Sequence, residues 1–257
     1  MSNNNFLFKK DAFGYSYLIK RVLILLFGYL SYYRFAVVNR VKITGTEHLK
    51  DLPEKGVLFV SNHQTYFAEV AMMYHIFSAV KNGKHNTIKP PRNLFRPKLN
   101  VYFIAALETM KKGILPKLFT YAGSVSIKRT WREAGKDVNR QVDLRDISKI
   151  GTAIDDGWVI TFPQGTTTPF VKGRRGTAHV IKKFQPIVVP IVIDGFRTAF
   201  DKKGLFIKKR NTELSVRIKP ALQLDYSQPN DGVLSEIMDA IEQSDRFNPA
   251  KNKLNKA

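Results

Sequence analysis

The chain has no cysteine. That removes disulfides, thiolate nucleophiles and cysteine-type zinc sites at once. Acidic residues are also scarce: 21 Asp and Glu stand against 42 Lys and Arg in 257 residues, a formal net charge of +21. Such an excess implies a negatively charged partner, and nucleic acid, an anionic membrane or an acidic substrate all fit. Long apolar runs are missing too. The densest, residues 22–33 (VLILLFGYLSYY), would reach only about 18 Å as a helix, against roughly 30 Å of hydrocarbon. Extending it to residues 13–38 gives enough length but places Lys20, Arg21 and Arg34 inside the span. A helix or helix pair lying in a membrane interface, with tyrosines and basic side chains at headgroup level, costs less than burying those charges. A buried core helix is the alternative. The first residues are polar and Asn-rich with no small-residue cleavage pattern, so no removable signal peptide is expected.

What is present is enough apolar content, 44%, to bury one sizeable core, and the elements alternate in type. Residues 41–43 read as a short strand and 57–60 (VLFV) as a buried one, followed by Phe67, Val70, Ala71, Tyr74 and Phe77 at helical spacing. Residues 124–127 suggest another strand. Leu144, Ile147, Ile150 and Ile154 mark a helix that Asp143 caps and Gly157 stops. Strands follow at 158–162 and 187–193 (IVVPIVI), where Pro190 predicts an edge, a bulge or a strand end. Leu214, Val216 and Ile218 alternate like a half-exposed strand, and 233–241 reads as a last helix before a polar tail. The fold class this predicts is α/β, with a mixed, largely parallel sheet flanked by helices and an N-terminal helical segment at a membrane interface.

Reactive groups in open α/β sheets gather just beyond the carboxyl ends of strands, and His63 lies there, following VLFV. Six residues on, Glu69 opens the next helix, and its carboxylate can fold back to accept the Nδ1 proton and fix the tautomer with Nε2 turned to substrate. That arrangement makes a general base. His48, His75, His85 and His179 have no comparable setting and are read as structural or surface residues.

Three further stretches stand in order behind SNHQTYFAEV: GSVSIKR at 123–129, FPQGTTT at 162–168 and IVVPIVI at 187–193. With VKITGTEHL at 41–49 as a lead-in strand, their order and spacing resemble the glycerolipid acyltransferase family, typified by 1-acyl-glycerol-3-phosphate acyltransferases, over roughly residues 41–195. The family's first motif is a histidine, four residues and an aspartate; here Ala68 holds the aspartate's place and Glu69 follows one residue later. Its second motif ends in an arginine matched by Arg129, beside Lys128. Its third reads FPEGTR, matched at Phe162, Pro163, Gly165 and Thr166, with Gln164 for the glutamate and Thr167 for the arginine. Val188, Val189, Pro190 and Ile191 match the fourth.

The resemblance implies an anchoring segment at 1–40, an acyltransferase domain at 41–246 and a flexible tail at 247–257. His63 and Glu69 are the implied catalytic pair; Asn62, Lys128, Arg129, Gln164, Gly165, Thr166 and Thr167, with Arg174 and Arg175 as replacement charge, are the implied substrate contacts. No metal or cofactor is implied, since coenzyme A or acyl carrier protein brings the acyl group as a thioester. The acceptor is a lysolipid, 1-acyl-glycerol-3-phosphate or, given Thr167, an amino-acid-containing lipid. The expected setting is the cytoplasmic face of a bacterial inner membrane, bound to anionic lipid. A basic nucleic-acid-binding module is the distant alternative; no RNA-recognition, helix-turn-helix or zinc-finger pattern supports it, and no nucleic-acid partner is expected.

Overall fold

The computed structural model describes residues 9–95, 100–110, 114–128, 132–133, 136–137 and 143–254. Seven strands form one sheet: β1 (Arg40–Thr44), β2 (Val57–Ser61), β3 (Val101–Ala106), β4 (Ser124–Ile127), β5 (Trp158–Thr161), β6 (Ile187–Asp194) and β7 (Glu213–Ile218). Their order is β1-β7-β6-β2-β5-β3-β4. Every neighbouring pair is parallel except β6 with β7. VLFV lies at the centre of the sheet, where both faces need apolar cover, which is why it is a continuous run rather than an alternating one.

Val57 and Phe59 point to one face, against α1 (Tyr17–Tyr32) and α2 (Ala68–Lys81); Leu58 and Val60 point to the other. There they meet α3 (Leu144–Asp156), α4 (Arg175–Phe184) and α5 (Asn230–Ala240). The predicted cap is in place, with the Asp143 carboxylate accepting from the Arg145 amide at 2.9 Å, and α3 stops at Gly157. A side chain at Gly157 would run into the Asn100 carbonyl, so the stop also lets β3 and β5 begin side by side.

Pro190 departs from expectation, because β6 is an interior strand. Its carbonyl accepts from Lys219, one residue past the end of β7, so its nitrogen also faces that side, beyond the paired stretch that starts at Ile191 with Ile218. The missing N–H therefore falls where no ladder partner stands. The strand end that the proline signals belongs to the neighbour.

The N-terminal segment is helical, as expected, and departs from expectation at Lys20. One helix, α1, runs into a single wide turn, Tyr33–Val37, and no helix among the described residues is long and apolar enough to cross a membrane. Leu18, Val22, Leu26, Leu30 and Val37 lie exposed along it, Leu30 at 67%. Lys20, expected at headgroup level, is instead buried. Its ammonium sits 3.7 Å from the Asp11 carboxylate and 4.0 Å over the Tyr102 ring, and it bonds the Asn100 side chain. Asp156 completes the cluster by accepting from Tyr102 and Asn100. Burial lowers the Lys20 pKa to about 8, opposed by Asp11 and Asp156. The cluster fixes α1 to the amino end of β3. Lys20→Met should therefore leave the buried Asp11 carboxylate and the half-buried Asp156 without their cation and cost about 3 kcal/mol in urea unfolding. The exposed Lys42→Met should change it by less than about 0.5 kcal/mol.

Candidate active site

Residues 62–67 join the end of β2 to α2, and a buried carboxylate shapes them. Glu69, in the first turn of α2, has no exposed surface. It accepts from the Gln64 amide at 2.6 Å, from the Thr65 amide and from the Thr65 hydroxyl. The same hydroxyl accepts from the Ala68 amide at 3.2 Å, which caps the helix. Burial pushes the Glu69 pKa up to about 7, against the lowering effect of those donors. The side chain sits one helical step, about 100° of rotation, beyond Ala68, and its extra methylene carries the carboxyl back over the loop.

His63 stands above it, Nδ1 at 3.8 Å from Oε1, with its ring stacked on Phe162 at 3.9 Å between centroids. That separation is about 1 Å longer than an ordinary N–H···O hydrogen bond. Phe162 follows β5, so two neighbouring strand ends hold the ring. Asn62 is buried and gives both ends of its amide to the Ile193 backbone, at 2.9 and 2.8 Å. It ties the end of β2 to β6 and sets where His63 begins.

Beside His63, at the carboxyl ends of the strands, lies a cavity of about 330 Å³ lined from both sides of the sheet, by Phe67 and Val70 on the α2 side and by Ile147 and Ile150 of α3. Leu58, Phe103, Ile147, Ile150 and Val180 give it apolar lining, and Lys128, Arg174 and Arg175 line it together with Thr166, Thr167, Asp143 and Asp146. A cavity with this apolar lining, a histidine and cations suits an amphiphile with a charged or polar head and an acyl chain.

A family model described as Acyltransferase matches residues 40–194, more than half of the chain. The chain belongs to the acyltransferase family. In fold it is similar to the 1-acyl-sn-glycerophosphate (LPA) acyltransferase PlsC from Thermotoga maritima, with a TM-score of 0.53 over 92% of this chain and 80% of that one, at 16% identity. No curated protein sequence matches it.

The acyltransferase brings most of the expected residues together, in unequal ways. Gln164 is buried away from the cavity and donates to the Val171 carbonyl at 3.1 Å and to Gln243 at 3.2 Å. Gly165 takes a positive φ of 63° in the turn, and its amide donates to the Phe162 carbonyl at 2.9 Å. Thr166 and Thr167, next along, line the cavity. Arg175 is held by Asp231 through two bonds of 2.8 and 2.6 Å, whereas Arg174 lies half-buried on the cavity wall. Lys128 is exposed, with its backbone amide on Asp146 at 2.8 Å. Arg129 lies outside the described residues.

Two residues were not anticipated. Arg197, in the turn after β6, donates to the Thr167 carbonyl, while its own amide donates to Gln64 at 3.1 Å. A cation from another strand end thus reaches the position where the third motif lacks one. Gln243 holds the Phe170 amide at 3.0 Å and binds Gln164. Neither belongs to a motif; only the position of Arg197 just after an apolar strand was a signal.

Glu69 makes a measurable pH prediction. Folded, it keeps its proton up to about pH 7, whereas its ordinary pKa is 4.5, so between these values the folded state binds more protons and loses stability as pH rises. Glu69→Gln should remove that slope from a series of chemical denaturations taken between pH 4.5 and 7. Unchanged slopes would mean the carboxyl ionises normally.

Proposed function

We propose that this acyltransferase moves a fatty acyl group from a coenzyme A or acyl-carrier-protein thioester to the hydroxyl of a lysophospholipid, with 1-acyl-glycerol-3-phosphate as the favoured acceptor. The observation that carries the reading is the His63–Glu69 pair beside an apolar cavity that His63 and Arg174 both line. In this reading His63 Nε2 takes the acceptor hydroxyl proton as that oxygen attacks the thioester carbonyl. The C–S bond then breaks, and the departing thiolate takes up the proton from the imidazolium. Glu69 orients the ring and stabilises its charged form. No side chain becomes acylated, which agrees with the absence of cysteine.

The working setting is a membrane surface, with residues 1–40 as the docking segment, 41–246 as the catalytic domain and 247–257 as a tail. The exposed apolar stripe of α1 supports this, because such a stripe on an otherwise +21 chain suits the boundary of an anionic bilayer. The expected location is the cytoplasmic face of a bacterial inner membrane.

His63→Ala should lower turnover by about 100- to 10,000-fold while leaving urea unfolding close to wild type. Near wild-type acyl transfer by purified His63→Ala, with thioester consumption as the readout, would sink the mechanism.

The amino-acid-lipid acceptor is the second reading, favoured by the pairing of Arg175 with Asp231, which takes one cation out of the cluster. The two readings differ at Arg174. With a phosphate acceptor, Arg174→Ala should raise KM about tenfold or more, with a smaller fall in kcat, as lost ground-state binding does. Arg175→Ala should change KM by less than about threefold, since exposed ion pairs contribute little. A competition between lysophosphatidate and a monoacylated amino-acid lipid for one donor decides the acceptor.

A further inference from the structure

Between β6 and β7, residues 201–210 (DKKGLFIKKR) carry five cations and one acid. Lys202, Lys203, Lys208, Lys209 and Arg210 are all exposed. Asp201 spends its carboxylate inside the loop, on the amides of Leu205 at 2.7 Å and Phe206 at 2.9 Å, which also holds its pKa below the ordinary value. The cations therefore face outward without a compensating charge from their own loop. In their midst Phe206 is 72% exposed, more than any other large hydrophobic residue among the described ones.

The loop is continuous with α1. Arg34, in the wide turn that ends that helix, donates to the carbonyls of Gly204 and Leu205, and the Asn211 amide donates to the Val38 carbonyl at 3.0 Å. Tyr33 and Val37, at the end of the exposed stripe, flank this tether. On its other side the loop sits on the catalytic segment. The Tyr66 amide donates to the Lys202 carbonyl at 3.0 Å, and a side chain at Gly204 would strike Thr65 and the Ala68 amide. Tyr66 lines the cavity mouth, and the Lys202 ammonium stands 5.9 Å from its ring.

We propose that residues 201–210 form a second membrane contact, in which Phe206 enters the interface of an anionic bilayer and the surrounding cations bind lipid phosphates, so that the His63 loop faces the headgroup layer. The proposal rests on the reading that α1 docks on a membrane. A soluble acidic partner would account for the cations but leave the aliphatic stripe beside them uncovered. An anionic bilayer covers both, since apolar side chains enter it while lysines stay at its phosphates.

The absence of cysteine permits a direct test with the full chain. Phe206→Cys, Leu30→Cys and Thr152→Cys, the last on α3 across the sheet, each take one environment-sensitive fluorophore. Vesicles contain phosphatidylcholine alone, or two parts to one part phosphatidylglycerol. The labels at 206 and 30 should both shift to the blue on anionic vesicles, and the label at 152 should not. The triple substitution K202Q, K203Q, K209Q should weaken partitioning to anionic vesicles about 100-fold, at about fivefold per cation, with little change on neutral ones. Phe206→Ser should lower partitioning about tenfold yet leave transfer to detergent-dispersed acceptor unchanged. A shift at 30 without one at 206 would overturn this proposal and leave the docking of α1 standing; no shift at either overturns both. A shift at 206 produced by acyl carrier protein, and not by anionic vesicles, would assign the loop to that protein instead.

Discussion

Ionising Glu69, which has no exposed surface, costs several kcal/mol unless donors surround the carboxylate. The donors supplied are the Gln64 and Thr65 amides and the Thr65 hydroxyl, so the segment that carries His63 is folded around this one group. The constraint acts in both directions. The carboxylate shapes the loop, and the loop places an imidazole 3.8 Å from an anion that burial makes reluctant to ionise. In the proposed mechanism a carboxyl with a pKa near 7 is well matched to a histidine, because the imidazolium formed on proton abstraction would gain most from an anion that water does not screen.

The sheet sets the rest of the site around that pair. β2, β5 and β6 lie side by side and parallel, so their following loops open at one end: His63 after the first, Phe162 and Thr167 after the second, Arg197 after the third. Cross-links between the loops keep the spacing. Asn62 reaches the Ile193 backbone, Gln64 the Arg197 amide, and Arg197 the Thr167 carbonyl. Two of these bonds are made by the side chains that flank His63, so a substitution in one loop is felt in the others.

The central strands were legible because a run such as VLFV, buried on both faces, leaves no other reading, and α3 was legible from its apolar spacing and its Asp143 cap. The position of His63 after such a strand was legible for the same reason. Pro190 misled because a proline reports a missing hydrogen bond without saying which neighbour has ended. Lys20 misled because a cation within an apolar helix reads as a headgroup contact until Asp11 and Asp156 are brought to it by the fold. Arg174 and Arg175 are adjacent and chemically alike, and the fold distinguishes them by presenting Asp231 of α5 to Arg175 and by half-burying Arg174. Arg197 and Gln243 act across three-dimensional contacts that no local spacing encodes.

The account depends on Glu69 holding His63 in one tautomer. Nitrogen-15 NMR of the imidazoles reads this directly, with the His63 resonances among the five histidines assigned by their loss in His63→Ala. Just above neutral pH the account predicts the proton on Nδ1 of His63, with an Nε2 shift characteristic of an unprotonated nitrogen, and a mixture of tautomers in Glu69→Gln. A proton on Nε2 in the wild-type protein, unchanged by Glu69→Gln, would contradict it.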